Sequence, residues 1–179
     1  MNTEIKGSTK VYKGYLTVTS FELMDTERRT KFFREAVSPA DAVAAVVYNT
    51  VKDVFIFVKQ FRIGPQKDMI EIVAGTYNPT KEKPEEAITR EVEEEIGYKV
   101  NDILHLRSYY SSPGYSTEKM ELFLVSVSEK ISEGGGLVEE NENIEIIEMN
   151  RFELSTAHLN GEFIDAKTLI ALMDCEIIS

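Results

Sequence analysis

From Lys10 to Met24 the chain reads KVYKGYLTVTSFELM, in which apolar and polar residues alternate with the period of a strand. Asp25 to Arg29 interrupt the alternation with polar residues, and Thr30 to Val37 resume it, so this part predicts a β-hairpin. Ser38-Pro39 then break it. Residues 42 to 49, AVAAVVYN, are nearly all apolar, as in a strand buried on both faces. Asn49 to Asp53 predict a turn, and Val54 to Arg62, VFIFVKQFR, a returning core strand. Gly64-Pro65 end it, and Asp68 to Ala74 predict one more strand.

The period changes after Pro84. At about 100° per residue, Ile88, Val92 and Ile96 fall on one stripe, with Ala87 beside it. Pro84 suits a first helical turn, where its missing N–H is not needed. Glu85 and Glu86 sit at the positive end of the helix dipole, and Gly97 is placed to end the helix. The same wheel puts Glu91 and Glu95 between Ala87 and the stripe, on the inward face. Glu94 lies at the edge of that face, while Glu86, Arg90 and Glu93 point outward. Two inward carboxylates four residues apart are costly unless something neutralises them. A hard divalent cation does so, because it seeks oxygen ligands. The alternative is a solvated acidic helix, which is what a run such as EVEEE most often makes.

The whole stretch Gly75 to Tyr98 resembles the Nudix box, a glycine and a glutamate followed by Arg-Glu-apolar-any-Glu-Glu-any-Gly-apolar. The matching residues are Gly75, Glu82, Arg90, Glu91, Val92, Glu94, Glu95, Gly97 and Tyr98. The Gly75 to Glu82 interval is one residue longer than usual, in a loop where insertions are tolerated. The resemblance implies an α+β Nudix fold, a mixed β-sheet sandwiched between helices, with the N-terminal antiparallel β-hairpin as an extension. It divides the chain into residues 1–39, a dimer-forming β extension, and residues 40–179, the hydrolase domain.

Within the family, the chain looks like the pyrophosphatases that act on ADP-ribose and related nucleoside diphosphate sugars, including GDP-mannose. Their N-terminal β segment packs across a homodimer, which implies the base for Tyr15 and the phosphates for Arg34. Gln60-Phe61-Arg62 resembles a strand end whose arginine reaches the diphosphate, and a planar guanidinium fork suits phosphate oxygens. Pro113 falls 16 residues beyond Gly97, the position of a proline found in ADP-ribose-type members. Glu118 matches a substrate contact. The Ala74 carbonyl, Glu91, Glu95 and Glu142 match metal ligands for Mg²⁺, with Mn²⁺ as the alternative ion. Glu140 matches the residue that activates water, and Glu94 is its rival for that part. Gly75, Glu82, Arg90 and Gly97 brace the box.

Composition narrows the partners. At 179 residues the chain can bury an ample core. A net charge of −11 argues against nucleic acid or an anionic membrane as a partner. It is compatible with a polyphosphate substrate if bound metal inverts the local sign. Cys175 is the single cysteine, so no internal disulfide is expected and a reducing cytoplasm is. No targeting segment is expected at the start, and no apolar run reaches the roughly 18 residues of a spanning helix.

Beyond the box, Ile103–Tyr110 and Met120–Val127 predict paired strands. Ser128 to Asn143 predict a long acidic loop whose Gly134-Gly135-Gly136 let it move over a site. Ile144–Met149 predict a last strand, and Phe152–Asn160 and Asp165–Asp174 two structural helices split by Gly161. His105 and His158 lack the spacing of a metal site or triad and are read as packing or surface residues. The activity implied is Mg²⁺-dependent hydrolysis of a nucleoside diphosphate sugar to a nucleoside monophosphate and a sugar phosphate. Two other classes remain: a catalytically silent Nudix domain that senses a nucleotide sugar, and a purely structural acidic domain.

Overall fold

A computed structural model describes residues 2–136 and 143–178. The chain divides into two compact units, Met1–Asp41 with Tyr109–Lys119, and Ala42–Ser108 with Met120–Ser179.

The first unit is built on a three-stranded antiparallel sheet, β1 (Thr3–Lys13), β2 (Thr17–Asp25) and β3 (Thr30–Ser38), in the order β1-β2-β3. The predicted hairpin is therefore one pair of a larger sheet. Residues 10–24 are two strands, not one, separated by a turn at Gly14 to Leu16 in which the Gly14 N–H donates to the Leu16 carbonyl. Tyr15 stands on that turn. The β2–β3 turn is held by the Asp25 carboxylate, which accepts from the Glu27 and Arg28 N–H groups at 3.0 and 2.9 Å. Every residue of β1 is exposed, so its first half has no buried face to imprint a period on the sequence. On the 109–119 segment, Val37 bridges to Ser116, with the Val37 N–H donating to the Tyr115 carbonyl at 2.7 Å.

The second unit holds β4 (Asp41–Asn49), β5 (Val54–Arg62), β6 (Lys67–Glu71), β7 (Val73–Tyr77), α1 (Pro84–Ile96), β8 (Tyr98–Tyr110), β9 (Lys119–Lys130), β10 (Glu145–Met149), α2 (Arg151–Leu159) and α3 (Ala166–Asp174). Its mixed sheet runs β10-β5-β4-β9-β8, with β6 paired to β5 and β7 to β4. β4 and β9 are parallel, while β5 is antiparallel to β4, β6 and β10. Successive side chains of a strand face opposite ways. Val43, Ala45 and Val47 share one core with Ile88, Val92 and Ile96 of α1. On the other side Phe57 meets Phe163 with ring centroids 5.1 Å apart, and Leu154 of α2 and Leu172 of α3 are fully buried.

Two predicted elements differ in extent. Residues 68–74 are not one strand: β6 and β7 are separate, with Ile72 between them. β8 begins directly after Gly97, five residues earlier than its apolar pattern suggests, because residues 98–102 include polar, exposed positions.

The end of α1 explains the glycine triplet. Gly97 takes φ +72° and its carbonyl accepts from the Ile131 and Ser132 N–H groups at 2.7 and 3.1 Å. Gly135 and Gly136 donate their N–H groups to the Glu95 and Glu94 carbonyls at 2.8 and 3.3 Å. Those carbonyls have no partner inside the helix. Gly134, Gly135 and Gly136 all have positive φ, which lets their backbone press against the helix end. They are thus a docked cap and not the free hinge that the sequence suggests. A Cβ on Gly134 would lie 2.6 Å from the Ile96 carbonyl carbon and 2.7 Å from the Glu95 oxygen, both backbone atoms that cannot swing away. Gly134→Ala is expected to cost about 2 kcal/mol of stability. A urea titration reads this, and an unchanged midpoint would remove the cap from the account.

Candidate active site

α1 and the loop before it carry the acidic cluster, Glu82, Glu91, Glu94 and Glu95, beside β7. α1 lies against β7 because its apolar stripe needs the sheet, and that contact carries the inward acids with it. Glu91 and Glu95 are 9% and 3% exposed, so the helix wheel places them correctly. Glu95 Oε2 accepts the Ala74 N–H at 3.3 Å. Glu91 lies directly over Gly75: a Cβ built there would be 1.9 Å from the Glu91 carboxyl carbon. Gly75 is therefore the strand position whose missing side chain makes room for a carboxylate.

Arg90 does not point outward as the wheel suggests. Its Nη1 donates to Glu91 at 2.8 Å and Glu94 at 3.0 Å, and its Nη2 reaches Glu82 and the Thr76 carbonyl, each at 3.3 Å. A long side chain can leave its Cβ direction and lie back along the helix surface. Burial alone would lower the Arg90 pKa, but Glu91, Glu82 and Glu94 outweigh it and raise the value. One guanidinium thus ties the loop residue Glu82 and the strand carbonyl of Thr76 to the helix acids. The structure brings Ala74, Gly75, Glu82, Arg90, Glu91, Glu94 and Glu95 together, with Gly97 ending the helix behind them.

Arg62 closes β5 and forms a two-point pair with Glu71, Nε to Oε1 at 2.8 Å and Nη2 to Oε2 at 2.9 Å. Glu71 is 2% exposed. Burial raises its pKa, but hydrogen bonds and attraction from Arg62 and Lys167 outweigh that and lower it. Burial also works against the Arg62 charge, and Glu71, Glu95 and Asp165 restore and raise its pKa. Lys167 of α3 bonds to Glu71 Oε2 and pairs with Asp165 at 3.0 Å. Asp165 caps α3 by accepting from the Thr168 N–H at 3.0 Å and its hydroxyl at 2.7 Å, and the Thr168 oxygen accepts the Ile72 N–H at 3.0 Å. Sequence reasoning missed Glu71, Asp165, Lys167 and Thr168. One signal was available: Glu71 is a charge inside the apolar run Met69 to Val73.

Tyr15, Arg34 and Glu118 belong to the first unit. Tyr15 is fully exposed, Arg34 donates to the Phe33 carbonyl at 2.8 Å and stacks 5.0 Å from the Phe32 ring, and the Glu118 N–H donates to the Ser116 hydroxyl at 3.2 Å. Glu140 and Glu142 lie outside the described residues. His105 finds a partner in the buried Glu121, at 2.8 Å, and Ser108 bonds to the same carboxylate oxygen. Both meet the acid and neither meets the other, so this is not a relay. A cavity of about 310 Å³ lined by Tyr48, Phe55, Leu124 and Arg151 sits at the opposite end of β5 from Arg62.

Glu91 and Glu95 fit a hard cation by their chemistry: both are buried carboxylates and both flank the Ala74-Gly75 backbone. Among the described residues no three acidic, histidine or cysteine side chains converge as a complete ligand set. Further oxygens must come from backbone, water, substrate or the residues outside that description.

Three comparisons bear on the chain. The family model described as NUDIX domain matches residues 38–172. A protein named GDP-mannose pyrophosphatase from Cronobacter sakazakii is 32% identical over 152 residues, covering 80% of this chain and 78% of that one. A protein named ADP-ribose pyrophosphatase from Haemophilus influenzae is 33% identical over 156 residues, covering 80% of this chain and 71% of that one. The solved structure titled as an ADP compounds hydrolase superposes with a TM-score of 0.81 at 22% identity, over 98% of this chain and 93% of that one.

Proposed function

This chain belongs to the Nudix family, and on that footing we propose that it hydrolyses the diphosphate bridge of a nucleoside diphosphate sugar of ADP-ribose or GDP-mannose type with the help of Mg²⁺. It is a hydrolase acting on phosphoanhydrides. The observation that carries the substrate class is the presence in one unit of two buried carboxylates, Glu91 and Glu95, and of an arginine, Arg62, that closes β5, in a chain similar to pyrophosphatases of these two kinds.

A diphosphate resists attack because its oxygens repel a nucleophile. Glu91, Glu95, the Ala74 carbonyl and Glu142 would hold Mg²⁺, which would supply charge to screen those oxygens and to make a water acidic. Glu140 takes the proton of the attacking water, with Glu94 supporting the ligands or standing in as base. Arg62 and Arg34 bind the phosphates and stabilise charge that develops on them. Glu82 and Arg90 hold the loop on the helix. Tyr15 is assigned to the base and Glu118 to a substrate contact. AMP and ribose 5-phosphate are the products expected from ADP-ribose.

Residues 1–39 are assigned to a homodimer and 40–179 to the hydrolase domain. The fully exposed β1, with Ile5, Val11 and Tyr12 at its surface, supports a second copy as its cover. A reducing cytoplasm suits the lone thiol of Cys175. Sedimentation at micromolar concentration is expected to give a dimer. A monomer would remove the dimer and with it the roles of Tyr15 and Arg34.

A panel of nucleoside diphosphate sugars with Mg²⁺, coupled to a phosphatase that frees phosphate from the monophosphate products, tests the reaction. ADP-ribose or GDP-mannose is expected to lead, with intact triphosphates poor. Leading activity on deoxynucleoside triphosphates would reject the substrate class and leave the fold untouched.

A further inference from the structure

Arg62 is assigned to the diphosphate, and the role given to Lys167 here rests on that assignment. Yet Nε and Nη2 of the Arg62 fork are both committed to Glu71. Glu71 is almost wholly buried, and a buried carboxylate stripped of its only partner is strongly unfavourable. A guanidinium held in that way alone would not be released to a substrate.

Lys167 changes the balance. Its ammonium bonds to Glu71 Oε2, the same oxygen that Arg62 Nη2 reaches. Its side chain is 13% exposed and is anchored on its far side by Asp165, which Thr168 fixes in turn. Arg62, Lys167, Glu71 and Asp165 together carry two positive and two negative charges. When the Arg62 fork turns to a phosphate, Glu71 still has a cation at bonding distance. Arg62 then exchanges one anion for another, and no buried charge is left alone.

We propose that Lys167 is a positioning residue that retains Glu71, so that the Arg62 fork is free to exchange that carboxylate for the diphosphate of the substrate. Lys167 does not touch substrate in this arrangement. Its effect passes through Glu71 and therefore vanishes when residue 71 has no charge.

The test compares wild type with Lys167→Met, Glu71→Gln and the double variant. Two readouts are used: ADP-ribose affinity by calorimetry without divalent ion, and KM and kcat with Mg²⁺. Lys167→Met is expected to weaken binding and raise KM about tenfold, with kcat within about twofold. Glu71→Gln in that background is expected to restore affinity, because a neutral amide does not retain Arg62. Lys167→Arg should keep wild-type affinity. Lys167→Met with unchanged affinity and KM overturns the proposal, as does a defect that Glu71→Gln does not relieve. If Lys167→Met does not fold, Glu71→Gln and the double variant decide: they should bind alike, and a tenfold weaker double variant makes Lys167 a direct ligand instead. Wild-type protein that binds no nucleoside diphosphate sugar overturns the functional reading and this proposal together, whereas normal wild-type binding with an unaffected Lys167→Met overturns the proposal alone.

Discussion

Glu95→Gln is expected to lower kcat about 10³-fold, equivalent to about 4 kcal/mol of transition-state stabilisation. The side chain keeps its shape, and an amide oxygen can still accept the Ala74 N–H that Glu95 now accepts at 3.3 Å. The helix and its apolar stripe are therefore expected to stay in place. What is lost is a negative charge at a position only 3% exposed, where no bulk water replaces it. Calorimetric titration should show Mg²⁺ binding to wild type and far weaker binding to the variant. Circular dichroism should be unchanged. Turnover near the wild-type rate would mean that Glu95 does not act on the metal, and the reading of α1 as the catalytic helix would go with it.

Gly75→Ala is expected to cost about 10²-fold in kcat while leaving the fold standing. The new Cβ would fall 1.9 Å from the Glu91 carboxyl carbon and 2.0 Å from its Oε1. These atoms are the end of a flexible side chain, so the clash resolves by moving Glu91 and not the strand. Stability should fall by no more than about 1 kcal/mol, since neither the β7 hydrogen bonds nor the apolar stripe is disturbed. The displaced carboxylate no longer stands where a ligand is needed, and a shift of about 1 Å in a catalytic group is enough for a loss of this size. Steady-state kinetics beside a thermal melt separate the two effects. Full activity in a folded Gly75→Ala protein would show that the place of Glu91 over the strand is irrelevant to the reaction.

The sequence made α1 legible because helical periodicity fixes direction as well as extent. Ile88, Val92 and Ile96 had to face the sheet, and Glu91 and Glu95 followed from the angle between successive residues. Arg90 escaped the same argument. A wheel gives the direction of a Cβ, whereas a guanidinium several bonds farther out goes where its partners are. The strands β4 and β5 were readable from continuous apolar runs. The first half of β1 was not, since a strand with no buried face imposes no alternation. The Arg62 partners were hidden for another reason. Lys167 and Glu71 are 96 residues apart, and no local pattern encodes a pairing made by two elements that meet only after folding. The glycine triplet showed the opposite failure: its composition suggested freedom, and only its hydrogen bonds to Glu94 and Glu95 revealed a fixed anchor.

The Thr168 hydroxyl that receives the Ile72 N–H has a practical consequence for trimming the protein. A polypeptide cut after Gly161 would keep every residue of the box, and by motif inspection it would pass as a complete minimal enzyme. It would nevertheless expose the break between β6 and β7, orphan the Ile72 amide, and leave Arg62 as the counterion of Glu71 among the described residues. The shortest active form therefore extends through α3, so the boundary of the catalytic module is set by a threonine far from the signature that identifies it.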